Sequence, residues 1–273
     1  MYERNCNLSL TPDKLIAKSA DPTVRLVEIF SSIQGEGILV GHRQIFVRTY
    51  GCNLRCTYCD SPETLKESGT PHACRVETEP GSWRFRSIDS LVPSRTLTEI
   101  VSGYLSEPHH SLSITGGEPL LHADFLVKWI PDARKLGLKV FLETNGMLPG
   151  HMKKLTSLVD FVSMDFKAPT STGMTREETK MRHRQFLDVA RETRVYGKFV
   201  ATSKTTNEEL NDVIEIIESV DASIPLILQP VTPFGFEMTP VSPSRMIELH
   251  AMASRRLAEV RVIPQTHKMM KLL

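Results

Sequence analysis

The stretch QIFVRTYGCNLRCTYCDS, residues 44–61, joins an apolar run to a loop that carries Cys52, Cys56 and Cys59. Its opening segment QIFVRTY (44–50) is rich in β-branched and aromatic side chains and predicts a strand. The three thiols then leave that strand together at its C-terminal end. Further apolar runs at 111–115, 138–144, 161–166, 194–201 and 225–231, with a last short one at 260–264, alternate with helix-like stretches near 97–107, 123–136, 150–158, 176–192, 207–220 and 243–258. Continuous apolar strands alternating with helices mean right-handed crossovers and a parallel sheet. About six such units are too few for an eight-fold barrel. The expected class is α/β, a partial (β/α)6 barrel, with an open doubly wound sheet as the other choice. In either case the site belongs at the C-terminal ends of the strands.

The 273 residues, 40% of them hydrophobic, suffice for one large domain, expected over 24–273. Lys and Arg total 33 against 32 Asp and Glu, so a net charge of +1 gives no general reason to bind nucleic acid or an anionic membrane. Neither the polar start MYERNCNLSL nor any later stretch offers a secretory core or the roughly 20 apolar residues of a membrane span. A soluble cytoplasmic protein is expected. Five cysteines is an odd and modest number, which favours reduced thiols over a disulfide framework. Two segments break the strand-helix rhythm. Residues 1–23 read as a loosely held extension, and 62–95, rich in Pro, Ser and Gly, as a long insertion that is either functional or mobile. Cys6 and Cys74 lie in these segments and read as incidental thiols.

The remaining three cysteines have the spacing C-x3-C-x2-C. Zinc is the first rival. A structural zinc site takes four protein ligands from paired C-x2-C or C/H units, and no partner CxxC or HxxxH occurs elsewhere. Three close thiolates leave a fourth position open, as in a four-iron, four-sulfur cluster whose last iron takes a small-molecule ligand. Polar groups gather at the other strand ends too. SITGGEPLL (113–121) places Gly116 and Gly117 where backbone can approach a ligand, followed by Glu118. FLETNG (141–146) presents Glu143, Thr144 and Asn145, suited to ribose hydroxyls although a capping turn looks the same. Asp165 and Lys167, two apart on an otherwise apolar strand, share a face; a surface ion pair is the bland reading, an active-site pair the favoured one. Upstream, EIFSSIQGEG (28–37) closes a first strand with Gln34, Gly35, Glu36 and Gly37, offering an amide and a carboxylate to a heterocycle. RVIPQTHK (261–268) brings His267 and Lys268 after the last strand, where a lone His is usually structural.

The cysteine spacing, with the aromatic Tyr58 before the last Cys, resembles the signature of the radical S-adenosylmethionine superfamily. The segments IQGEG, TGGEPLL, ETNG, MDFKAPTSTGM, GKFVAT, LILQPVTP and RVIPQTHK, in this order over about residues 26–268, resemble the 7-carboxy-7-deazaguanine synthase family within it. The resemblance implies a partial barrel of the radical S-adenosylmethionine type. It further implies conversion of 6-carboxy-5,6,7,8-tetrahydropterin to 7-carboxy-7-deazaguanine with loss of ammonia, S-adenosylmethionine being regenerated and Mg2+ required. Cys52, Cys56 and Cys59 would hold the cluster. Tyr58, Gly117, Glu118, Glu143, Thr144, Asn145, Asp165, Lys167 and Gln229 would surround S-adenosylmethionine. Gln34, Gly35, Glu36, Gly37, Gly116, His267 and Lys268 would line the pterin site, with Arg48 on the substrate carboxylate.

The family's Mg2+ ligand, usually Thr after Cys-Asp, is here Ser61, also a hydroxyl. An electron donor such as flavodoxin and a homodimer are the implied partners. The insertion departs from many members of the family and adjoins Ser61, so a lid or a partner surface is expected of it. A glycyl-radical activating enzyme shares the cysteine loop, the Gly-Gly turn and the D-x-K strand end, but QGEG and PQTHK count against it. A non-enzymatic iron-sulfur or zinc module would not need so many polar strand ends.

Overall fold

A computed structural model describes residues 21–65, 69–234, 236 and 239–273. Its strands are β1 (Thr23–Ile33), β2 (Arg43–Thr49), β3 (Ala73–Glu77), β4 (Phe85–Asp89), β5 (Leu91–Pro93), β6 (Ser111–Gly116), β7 (Lys139–Thr144), β8 (Phe161–Phe166), β9 (Arg194–Ala201), β10 (Leu226–Pro230) and β11 (Val260–Val262). They form one sheet in the order β11-β10-β9-β8-β7-β6-β2-β1-β3-β4, with β5 paired to β1. From β2 through β6 to β11 every neighbour is parallel. The helices are α1 (Ser94–Gly103), α2 (Ala123–Lys135), α3 (Pro149–Met152), α4 (Pro169–Thr172), α5 (Arg176–Ala190), α6 (Asn207–Val220), α7 (Pro243–Ser254) and α8 (Thr266–Met270). Local capping fixes several of their starts: Thr175 Oγ1 accepts from Glu178 N, and Thr206 with Glu209 forms a reciprocal capping box.

Successive strand residues point to opposite faces. One face of β6–β10 supplies Leu112, Ile114, Val140, Leu142, Val162, Met164, Phe199, Leu226 and Leu228, which pack with Trp129, Phe186, Ile214 and Leu249 of the helices in the main core. The other face supplies Thr115, Glu143, Asp165, Lys198 and Gln229, which line one cavity together with Glu28 and Arg48 from β1 and β2. Strands this far apart in the sheet can share a cavity only if the sheet curls around it. That is a partial barrel rather than a doubly wound sheet, which would cover both faces with helices. A small second core of Leu39, Phe141, Phe161, Tyr196 and Ile227 fills the inner face where the strands begin.

Three expectations need correction. First, 62–95 is not a structureless loop: β3 runs parallel to β1, with Glu28 opposite Arg75, and β4 pairs antiparallel to β3, so the segment extends the sheet. Its Cys74 is buried in the main core. Second, the helix expected over 150–158 is only α3; successive turns follow to Leu158, with Leu155 buried in the core. Third, β1 runs antiparallel to β2, with Ile33 opposite Arg43, so Gln34 to Glu36 enter the cavity from the end where the parallel strands begin. Of the extension expected over 1–23, residues 1–20 lie outside the described residues, while Thr23 already belongs to β1. No helix among the described residues is long and apolar enough to cross a membrane.

Candidate active site

The cavity holds about 790 Å3, and Cys52, Cys56 and Cys59 line it. All three are free thiols. Asn145 Nδ2 donates to Asn53 Oδ1 at 2.8 Å, and Thr57 N donates to Ser171 O at 2.9 Å, which pins the loop to the ends of β7 and to α4. Burial pushes the thiols up, Cys56 to about 11, so a metal centre that takes them as thiolates displaces protons. Among the described residues no group of three His, Cys, Asp or Glu side chains converges as on a single ion. Three thiols on one loop are one short of the four protein ligands of a structural zinc site and match the three of a cluster that keeps one iron open.

The Gly-Gly turn fits tightly beneath that loop. Gly116 has φ +138°, and a Cβ there would lie 2.4 Å from Thr49 O; one on Gly117 would lie 2.3 Å from Gly51 O. Only glycine allows this approach. Both residues line the cavity, as do Glu143, Thr144 and Asn145. Glu118 does not. It is fully buried, accepts from Leu120 N, Thr144 Oγ1 and Asn145 N at 2.8–3.0 Å, and thereby ties the end of β6 to the end of β7. Burial pushes its carboxyl up to about 7 despite those donors. Gly37 also stays off the cavity wall, packed against the Tyr196 ring.

Ionised groups cross the middle of the cavity. Lys167 Nζ lies 2.7 Å from Asp165 Oδ2, Lys198 Nζ lies 3.3 Å from the same oxygen, and Lys198 also donates to Glu36 Oε2. Glu36 Oε1 accepts from Gln265 Nε2 at 2.7 Å. Burial alone would raise the Glu36 carboxyl, but Lys198 and Gln265 outweigh it and hold the group at about 2. Gln34 Nε2 donates to Glu143 Oε1 at 2.8 Å. The QGEG and PQTHK segments clasp each other: Thr266 N donates to Gly35 O at 2.9 Å, and a Cβ on Gly35 would sit 2.1 Å from His267 Nδ1. Lys268 Nζ reaches Asp60 Oδ2 at 3.1 Å. Arg48 Nε pairs with Glu28 at 2.8 Å and its Nη1 donates to Ser61 Oγ at 3.3 Å.

Three buried polar atoms on the cavity wall, Tyr58 Oη, Asp165 Oδ1 and Gln229 Oε1, lack a protein partner among the described residues. Buried polar atoms are nearly always paired, so their place on a cavity wall marks where a ligand completes the set. Lys198, Asp60, Glu28 and Arg75 also line the cavity, and sequence reading did not single them out, while Gln265, in the polar group after the last strand, lines it too. The one available signal was Lys198 as a lone interior charge in RVYGKFVA (194–201).

The family profile described as "Radical SAM superfamily" matches residues 46–220. A 7-carboxy-7-deazaguanine synthase from Geobacter sulfurreducens is 44% identical over 253 residues, covering 91% of this chain and 98% of its own. One from Methanothermobacter thermautotrophicus is 36% identical, covering 89% and 95%. Among solved structures, QueE from Escherichia coli superposes with a TM-score of 0.55 at 18% identity, over 89% of this chain and 94% of that one. A TYW1 structure with a lysine-pyruvate adduct gives 0.53 at 16% identity, over 80% and 75%. At such low identity both superpositions speak for the fold.

Proposed function

The chain belongs to the radical S-adenosylmethionine superfamily and, within it, to the 7-carboxy-7-deazaguanine synthases, and from that premise we infer that it converts 6-carboxy-5,6,7,8-tetrahydropterin to 7-carboxy-7-deazaguanine and ammonia. The observation that carries the reading is one cavity lined both by three free thiols and by the Gln34–Glu36 turn. The net change is loss of ammonia, so no oxidant is consumed and a regenerated cofactor suffices.

A four-iron, four-sulfur cluster with S-adenosylmethionine would supply one-electron radical chemistry at this site, directed at the hydrogen on C6 of the substrate. Cys52, Cys56 and Cys59 would hold the cluster. The Gly116–Gly117 backbone, Tyr58, Glu143, Thr144, Asn145, Asp165, Lys167 and Gln229 would surround S-adenosylmethionine, with the ammonium of Lys167 placed for its carboxylate. Glu118 would act behind that wall by fixing Thr144 and Asn145. The ionised carboxylate of Glu36 accepts N–H donors from the pterin edge, and Gln34 offers an amide beside it. His267 backs Gly35, and Gln265 and Lys268 hold Glu36 and Asp60 from the other side.

Arg48 would turn its guanidinium to the substrate carboxylate, sharing it with Glu28. Mg2+ would be taken at Ser61, whose hydroxyl accepts from Arg48 and donates to Asp60 beside it. A flavodoxin-type electron donor, a second copy of the chain and a cytoplasmic setting complete the reading. The test is anaerobic: reconstitute the cluster, add S-adenosylmethionine, Mg2+, reductant and the carboxytetrahydropterin, and look for the deazaguanine product by mass spectrometry. Robust cleavage of S-adenosylmethionine without that product would keep the superfamily and remove the reaction.

A further inference from the structure

Four alternating charges form a ladder across the cavity: the Glu36 carboxylate, the Lys198 ammonium, the Asp165 carboxylate and the Lys167 ammonium. It runs from the QGEG turn to the cluster loop, where Lys167 Nζ lies 5.2 Å from the centre of the Tyr58 ring. All four side chains are only 11–17% exposed. The two inner members are shared. Lys198 serves both Glu36 and Asp165, and Asp165 Oδ2 serves both Lys198 and Lys167 while its Oδ1 is buried without a partner among the described residues.

Buried ion pairs are poor devices for stability, because desolvation offsets most of their attraction. Shared counter-ions do something else. A ligand that takes Glu36 as its acceptor weakens the hold of Glu36 on Lys198. Lys198 then turns more fully to Asp165, which loosens the grip of Asp165 on Lys167 and leaves that ammonium to an anionic group at the cluster end. Such coupling is reciprocal between the two ligands. We propose that Lys198 is a positioning residue that couples the heterocycle subsite at Glu36 to the cofactor subsite at Lys167, a role that rests on the pterin reading above. A bound pterin thus strengthens the binding of S-adenosylmethionine, and the reverse.

The test is calorimetric titration of the carboxytetrahydropterin into the cluster-reconstituted, unreduced protein, with and without S-adenosylmethionine, so that affinity is read without turnover. In the parent chain S-adenosylmethionine tightens pterin binding about fivefold or more, within the usual range of coupling energies. Lys198→Gln, which keeps a donor but not the charge, brings the factor to about one, and Lys198→Arg, which keeps the charge, retains it. A purely structural lysine would not sort the two variants by charge. If Lys198→Gln leaves Glu36 without its counter-charge and the fold fails, the double variant Glu36→Gln, Lys198→Gln removes that charge and must also lack coupling. An uncoupled parent chain, or a charge-free variant with parental coupling, overturns the proposal. In the turnover assay, coupling without deazaguanine would remove the assigned reaction and leave Lys198 standing; deazaguanine without coupling would do the opposite.

Discussion

Lys198 and Phe199 are consecutive residues of β9 and serve opposite ends. Phe199, 1% exposed, packs in the core between sheet and helices, whereas Lys198 faces the cavity between two carboxylates. The same alternation divides β8, where Met164 points to the helices and Asp165 to the cavity. Burial is nearly equal on the two faces, but one is filled by carbon and the other by charges that need partners. Stability is concentrated on the helix side and chemistry on the concave side, separated by a shift of one residue.

Several substitutions can break or sharpen that division. The largest effect is expected at the cluster end: Cys56→Ala should abolish cluster absorbance, S-adenosylmethionine cleavage and product together. On the helix side, Phe199→Ala should cost about 3–5 kcal/mol in urea unfolding while folded molecules still turn over. A selective loss of turnover without loss of stability would erase the division.

The next effect is a pH dependence. Burial holds His183, on α5 behind β8, down at about 4, so the unfolded chain binds its proton first as pH falls. Its contribution to stability, on the order of 3 kcal/mol, is present above 6.5 and lost as pH falls toward 4. On the concave side Glu36, held at about 2 against a usual 4.5, contributes above 4.5 and loses that contribution as pH falls toward 2. Glu118, raised to about 7, acts in the opposite sense: its contribution is greatest below 4.5 and is lost as pH rises to 7. The quantity to read is therefore the difference between His183→Gln and parent, which should flatten the acid loss between pH 6.5 and 4.5; an unchanged slope would place the histidine outside the linkage.

Glu36→Gln should lower kcat/KM about tenfold to a hundredfold, the size of one charge-assisted hydrogen bond, with cluster absorbance intact. Lost cluster assembly would instead make Glu36 a structural residue. On neither face, the exposed Arg84–Glu79 pair of the β3–β4 hairpin should be worth about 0–1 kcal/mol when broken by Arg84→Ala. Unfolding curves would show it.

The parallel strands were legible because each is a continuous apolar run flanked by turn and cap residues, and the cysteine loop because its spacing has few uses. Hidden in those same runs were the inward charges. A strand buried on both faces shows no clean alternation, so Lys198 reads as one more residue of RVYGKFVA (194–201). The insertion read as loop because Pro, Ser and Gly separate three short strands that owe their order to non-local pairing, β3 and β5 with β1 and β4 with β3. Nor could local sequence show that Gly35 meets Thr266, 231 positions away, or that Glu118 turns its carboxylate onto β7 rather than into the cavity.

The most direct measurement of the division between the two faces is an anaerobic crystal structure of the chain with cluster, S-adenosylmethionine and the carboxytetrahydropterin bound. It should show the heterocycle hydrogen-bonded to Glu36 on the concave face, S-adenosylmethionine between the three cysteines and Lys167, and the packing around Phe199 unchanged. A heterocycle seated at the cavity mouth without touching Glu36, or bound on the helix side of the sheet, would contradict the account.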